Sequence, residues 1–89
     1  MKIVLSGNLK RFADFEAEVE VEATTIPTAL GLLVERYPKL RPVIHDGAGG
    51  LRKVHRLFVN GEVLSAEEVE TRELGPQDEL GILTALAGG

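Results

Sequence analysis

Two features of this 89-residue chain could bear on chemistry: its last two residues, Gly88 and Gly89, and its two histidines, His45 and His55. Glycine has no Cβ, so a Gly-Gly end adopts extended or left-handed backbone at little steric cost. Such an end can thread a narrow channel and present its carboxylate deep inside another protein. A carboxylate is a poor acyl donor because its leaving group would be oxide. Chemistry at Gly89 therefore calls for prior activation, which divides one hard step into easier ones. The histidines have no third ligand at a standard spacing, and the chain has no cysteine. They read as structural or solvent-facing residues, and no metal site is expected. The glycines at 47, 49 and 50 lack the Gly-Lys-Ser/Thr ending of a phosphate loop and read as a surface loop. No nucleophile–base set suggests a stand-alone hydrolase.

The scaffold is small. Eighty-nine residues make one domain, with 44% hydrophobic residues for a modest core. Ten Lys and Arg against fourteen Asp and Glu give a net charge of -4, which argues against a nucleic-acid partner. No apolar run is long enough to span a membrane, and the opening residues break at Gly7-Asn8 too early for a signal peptide. A cytoplasmic location without membrane association is the expectation. Charge is segregated along the chain. Positions 36–56 hold six bases (36, 39, 41, 52, 53, 56) and one acid, while 62–79 hold seven acids and one base. Two solvated faces, or steering toward a partner of complementary charge, both account for this.

Periodicity orders the elements. Residues 2–6 form a strand with Ile3 and Leu5 on one face. Residues 15–22 alternate: Phe15, Ala17, Val19 and Val21 face one way, and four glutamates face the other, as in a half-buried antiparallel strand. A long turn joins these two strands. Ile26, Ala29, Leu30, Leu33, Val34 and Tyr37 then follow helical spacing, with Thr25 as N-cap and Pro27 in the first turn. Gly31 weakens that helix, and Pro38 ends it near Arg36 or Tyr37. Residues 39–44 read as a further short helical turn closed by Pro42. Residues 45–50 are a loop, and 53–59 a third strand. Asn60-Gly61 predicts a type I′ hairpin into a short fourth strand at 62–64. A polar, acidic stretch follows, anchored by Leu74 and turned by Gly75-Pro76. Residues 79–84 are a fifth strand. The fold class is α+β: one mixed sheet of about five strands covered by one main helix.

Three segments carry a resemblance to a known family. Phe58-Val59-Asn60-Gly61-Glu62 is similar to its Val-Asn-Gly hairpin. Leu74-Gly75-Pro76-Gln77-Asp78-Glu79-Leu80-Gly81-Ile82 is similar to its Leu-x-x-Gly-Asp-Glu-Val-x-Ile segment. Ala87-Gly88-Gly89 is similar to its Ala-Gly-Gly end. With the strand–strand–helix–strand–strand–strand order, the chain resembles the ubiquitin-like (β-grasp) sulfur carriers of the MoaD/ThiS family over nearly its whole length. It departs from them in lacking prolines shortly before the end, where Thr84-Ala85-Leu86 stand, and in stretching the Gly-Asp pair. The resemblance implies a β-grasp domain at 1–84 and a flexible Gly-Gly tail at 85–89.

It also implies a function. A ubiquitin-activating-type adenylyltransferase would adenylate Gly89, and sulfur transfer to the carbonyl would then give a thiocarboxylate, which donates its sulfur in a biosynthetic pathway. ATP and Mg²⁺ belong to that partner; no cofactor is expected on this chain, which is a sulfur-carrying substrate rather than an enzyme. The second partner would be a sulfur-incorporating enzyme or the large subunit of a synthase. Two alternatives stand beside it: the small subunit of molybdopterin synthase, and a protein modifier joined to lysines through Gly89. Alternation puts Phe58 and Arg56 on the solvent side of the sheet if Leu57 and Val59 enter the core, with Val4 and Leu83 in register. Phe58, Val4, Leu83 and Arg56, with Leu86 and Ala87 of the tail, are the expected partner-binding residues, and Gly88 and Gly89 the reactive end.

Overall fold

A computed structural model describes residues 1–45, 51 and 55–84. Five strands form one mixed sheet: β1 (Lys2–Leu5), β2 (Glu18–Glu20), β3 (His55–Val59), β4 (Glu62–Val63) and β5 (Glu79–Thr84). Their order across the sheet is β2-β1-β5-β3-β4. β1 and β5 run parallel at the centre, with Ile3 opposite Leu80 and Leu5 opposite Ile82, and the other pairings are antiparallel. The helix α1 (Ile26–Arg36) covers one face. Its Ile26, Ala29, Leu30, Leu33 and Val34 are buried together with Ile3, Leu5, Val19, Leu57, Val59, Leu80 and Ile82 of the strands. Each fully buried leucine or isoleucine is worth about 1.5–3 kcal/mol relative to exposure.

The helix ends where its residues require. The Thr25 hydroxyl accepts a hydrogen bond from the Thr28 N–H at 3.3 Å, and Pro27 sits in the first turn, where a missing N–H costs nothing. Tyr37 leaves the helical region ahead of Pro38. Beyond it, a 3₁₀ turn (Pro38–Leu40) leads into the short helix α2 (Arg41–Ile44). Pro42 lies in the first turn of α2, so it helps to start that helix rather than closing the segment.

Two further expectations are corrected. The segment 15–22 is not one strand: β2 is only Glu18–Glu20, while Phe15 is 76% exposed and Ala17 is exposed. A 3₁₀ segment (Gly7–Phe12) follows β1, and its Leu9, with Ala13 just beyond, enters the core that Phe15 was expected to fill. The chain then turns through Asp14 and Phe15 with φ of 53° and 63°, which carries the Phe15 side chain outward. The second correction is α3 (Ala66–Thr71) within the acidic stretch. Ser65 and Glu68 form a reciprocal capping box: the Glu68 N–H donates to the Ser65 hydroxyl, and the Ser65 N–H donates to the Glu68 carboxylate, both at 3.1 Å. The expected 53–59 strand is described from His55; residues 53 and 54, and loop positions 46–50, lie outside the described residues.

A polar clasp closes the sheet at one end. Asn60 and Gly61 have φ of 50° and 87°, as a type I′ turn demands. The Asn60 amide donates to Asp78 Oδ1 at 2.9 Å, and its oxygen accepts from the Glu79 N–H at 3.0 Å. Asp78 Oδ2 accepts from the Gly75 N–H at 2.7 Å. The β3–β4 turn is thus bound to the turn that launches β5, with Leu74 buried beneath.

Two measurements test this account. At Gly31 an added Cβ would meet nothing within 4 Å, so Gly31→Ala should raise the urea-unfolding free energy by about 0.5–1 kcal/mol. The Gly75 N–H first, and the Asn60 amide second, hold the Asp78 carboxyl below its ordinary value of 3.8. Folding therefore favours the carboxylate. Its stabilisation is fully present above the unfolded pKa and is lost as pH falls through the lower folded value. The stability gap between wild type and Asp78→Asn should accordingly be constant from neutral pH to about pH 5 and shrink below pH 4; a gap that widens on acidification would contradict the clasp.

Candidate docking face and reactive end

Strand alternation leaves the sheet with two unlike faces. Leu57 and Val59 point inward, so Arg56 and Phe58 of the same strand point out. Register then assembles an apolar row across four strands: Val4 of β1 lies beside Gly81 of β5, Gly81 beside Phe58 of β3, and Phe58 beside Val63 of β4. Leu83 stands one step along β5 on the same face, opposite Arg56. Val63 is 58% exposed and Leu83 47%, while Val4 and Phe58 are half-buried and Arg56 is exposed. Gly81 carries no side chain into the row. A shallow hollow of about 190 Å³ lies there, with Val4, Ser6, Phe58, Gly81 and Leu83 along its wall.

The expected residues Phe58, Val4, Leu83 and Arg56 are therefore brought together on one open face. Val63 completes the row and was absent from the expected set. A two-residue Asn60-Gly61 loop places Val63 opposite Phe58, so the hairpin signal could have located it.

The face is bordered by charge. On one side Lys2 Nζ stands 3.6 Å from both Glu18 and Glu79, and these two carboxylates, Glu18 foremost, raise the lysine's pKa. On the other side the Arg56 guanidinium donates to the His55 carbonyl at 3.4 Å. An apolar centre with a charged rim is the surface pattern of a protein contact.

β5 ends at Thr84, opposite His55. The chain therefore leaves the sheet at the end opposite the Asn60–Asp78 clasp. Leu86, Ala87, Gly88 and Gly89 lie outside the described residues, as do Arg52 and Lys53. Just before the exit, the Ser6 hydroxyl donates to the Ile82 carbonyl at 2.9 Å and binds the end of β1 to β5.

The histidines take structural positions. His55 is buried, with Nε2 2.9 Å from the Val43 carbonyl, and so ties α2 to β3. His45 is half-buried in a bridge to Leu51. Among the described residues, no group of three or more His, Asp or Glu could hold a metal ion, and no helix is long and apolar enough to cross a membrane.

A mixed five-stranded sheet of this order, covered on one face by one main helix, is the ubiquitin-like β-grasp fold. The chain belongs to the ThiS family, whose model matches residues 3–89. It is similar to the small archaeal modifier protein 1 (SAMP1) of Methanosarcina acetivorans, at 28% identity and a TM-score of 0.86 over 99% of this chain and 94% of that one. The crystal structure of the Amycolatopsis orientalis BexX/CysO complex contains a chain of the same fold, at 23% identity and a TM-score of 0.82 over 99% and 98%. SAMP1 of Haloferax volcanii shares it as well, at 24% identity and a TM-score of 0.81 over 99% and 97%. A search of curated proteins finds no match.

Opposite costs are expected on the two faces. Leu57→Ala should lose about 2–5 kcal/mol of unfolding free energy. Leu83→Ala should stay within about 0.5 kcal/mol of wild type, as for surface substitutions generally. Urea titration of the two variants measures both.

Proposed function

We propose that this protein carries sulfur as a thiocarboxylate on Gly89. The observation that carries this reading is the family match, which runs through to Gly89 and so takes in the Gly-Gly end. In the first step the Gly89 carboxylate attacks the α-phosphorus of ATP, forming an acyl-adenylate and releasing pyrophosphate. A hydrosulfide-level donor then attacks the carbonyl, AMP departs with the bonding electron pair, and the thiocarboxylate remains. A ubiquitin-activating-type adenylyltransferase supplies the ATP site, the Mg²⁺ and the charge-stabilising groups. This chain is the substrate. Its outer sheet face (Val4, Phe58, Val63, Leu83 and Arg56) docks on the enzyme, and Leu86 and Ala87 line the approach of Gly88 and Gly89 to the nucleotide. The thiocarboxylate passes its sulfur to a sulfur-incorporating enzyme or to the large subunit of a synthase. Bulk at the end would obstruct the channel, which is why glycine suits positions 88 and 89. Such a role fits a cytoplasmic protein.

A second reading is favoured by the likeness to the Methanosarcina acetivorans modifier protein. The same adenylate could be captured by a lysine amine, which would join this chain to a target protein through an isopeptide bond.

Intact-protein mass spectrometry decides between them. Incubation with the activating enzyme, ATP, Mg²⁺ and sulfide should produce a species heavier by one oxygen-to-sulfur exchange, and a chain lacking Gly89 should produce none. Reductant-resistant conjugates on a denaturing gel, with no thiocarboxylate, would establish the modifier reading instead. An unchanged mass beside a demonstrably active enzyme would exclude the carrier role.

A further inference from the structure

The end of the molecule where the chain leaves β5 has features that neither the core nor the outer sheet face uses. Four elements meet there. The Gly7–Phe12 segment packs against β5 and against the Pro38–Leu40 turn. α2 follows that turn directly and is tied through Val43 to His55, the residue opposite Thr84. These elements carry Lys10, Arg11, Lys39 and Arg41, of which the last three are exposed and Lys10 is half-buried. None of the four forms an ion pair with a described carboxylate. At the opposite end the situation reverses: Lys2 is held between Glu18 and Glu79, and Glu20, Glu62, Glu73 and Asp78 lie on the elements around it. The chain has a net charge of -4, yet these four cations near its exit end are paired with no described carboxylate.

Phe15 belongs to the same end. Its N–H donates to the Lys10 carbonyl at 2.7 Å, and Ala17, two residues on, pairs with Leu5 beside Ile82. Phe15 is 76% exposed and has φ of 63°, next to Asp14 at 53°. Left-handed backbone is disfavoured for a bulky L-residue, and here two such residues in succession hold an aromatic ring in water. Strain of this kind gathers at functional positions. Asp14 and Glu16 are the carboxylates on this connection, and neither is paired with the four cations.

We propose that this exit end is a second recognition surface, in which Phe15 enters an apolar pocket and Lys10, Arg11, Lys39 and Arg41 face an acidic rim around the partner's tail channel. The proposal rests on the carrier reading, since it is insertion of the Gly-Gly end that brings this surface against the partner. A protein rim suits it better than a nucleic acid, because the net negative charge and the glutamates of β2 repel a polyanion at longer range. Complementary charge around the exit speeds encounter and orients the tail toward the channel. The aromatic anchor slows release.

The test uses the full-length protein and the ubiquitin-activating-type enzyme of the same organism, followed by ATP–pyrophosphate exchange at low and high salt. Lys39→Ala with Arg41→Ala should raise KM about tenfold at low salt with kcat unchanged, and high salt should close the gap. Phe15→Asn, which tolerates positive φ, should raise KM at least fivefold without lowering the thermal midpoint. Thr71→Glu with Gln77→Glu makes the same change in net charge at the other end and should leave KM within twofold. Variants at 15, 39 and 41 that match wild type would overturn the proposal while leaving the carrier reading intact. Wild type that supports no exchange at all would remove both. A gel-shift complex with total transfer RNA, lost in the Lys39/Arg41 variant while KM is unmoved, would assign the surface to nucleic acid and overturn the acidic-rim proposal.

Discussion

The parallel pairing of β1 with β5 is the constraint on which the rest of the molecule depends. Parallel neighbours cannot be joined by a tight turn; they need a crossover of a dozen or more residues. Here nearly the whole chain between Leu5 and Glu79 serves as that crossover. The first strand and the last therefore form the middle of the sheet, and Ile3, Leu5, Leu80 and Ile82 are buried there side by side. Pairing in parallel also fixes geometry at the exit. β1 and β5 finish at the same end, so the 3₁₀ segment after β1 begins beside the last residues of β5.

The sheet divides its work between its faces. Inward residues supply stability through contact with α1. Outward residues contribute less to folding, and Gly81 occupies the centre of a strand there despite its cost, where an added Cβ would stand 3.7 Å from the Phe58 Cβ.

Much of this was legible in the sequence, and the failures have physical causes. The helical period from Ile26 to Tyr37, the Thr25 cap, the Asn60-Gly61 turn and the strand at Glu79–Thr84 are local signals whose structural consequences are local. Alternation over 15–22 misled because it is a statement about polarity alone. Leu9 and Ala13 reach the core first and leave Phe15 no place in it, a competition that no window around Phe15 contains. The missed α3 was readable after all: Ser65-Ala66-Glu67-Glu68 is a capping-box sequence, obscured by the absence of any fully buried residue in the helix. The exposed row of Val4, Phe58, Val63 and Leu83 follows from register, which the sequence states only through the hairpin turn. The convergence of Lys10, Arg11, Lys39 and Arg41 joins segments about thirty residues apart and depends on tertiary packing.

The unequal ends of β5 carry a consequence for motion. At its start the strand is anchored by the Asn60–Asp78 clasp and flanked by both β1 and β3. β1 stops at Leu5, opposite Ile82, so among the strands only β3 pairs with Leu83 and Thr84. Opening of the sheet is therefore directional. It runs backward from Thr84 and is arrested at Ile82, where β1 and the Ser6 hydroxyl take hold. Leu83 lies inside that short fraying arm. Releasing that arm breaks the pairing of two residues with β3 and leaves the core pairs Ile3–Leu80 and Leu5–Ile82 in place.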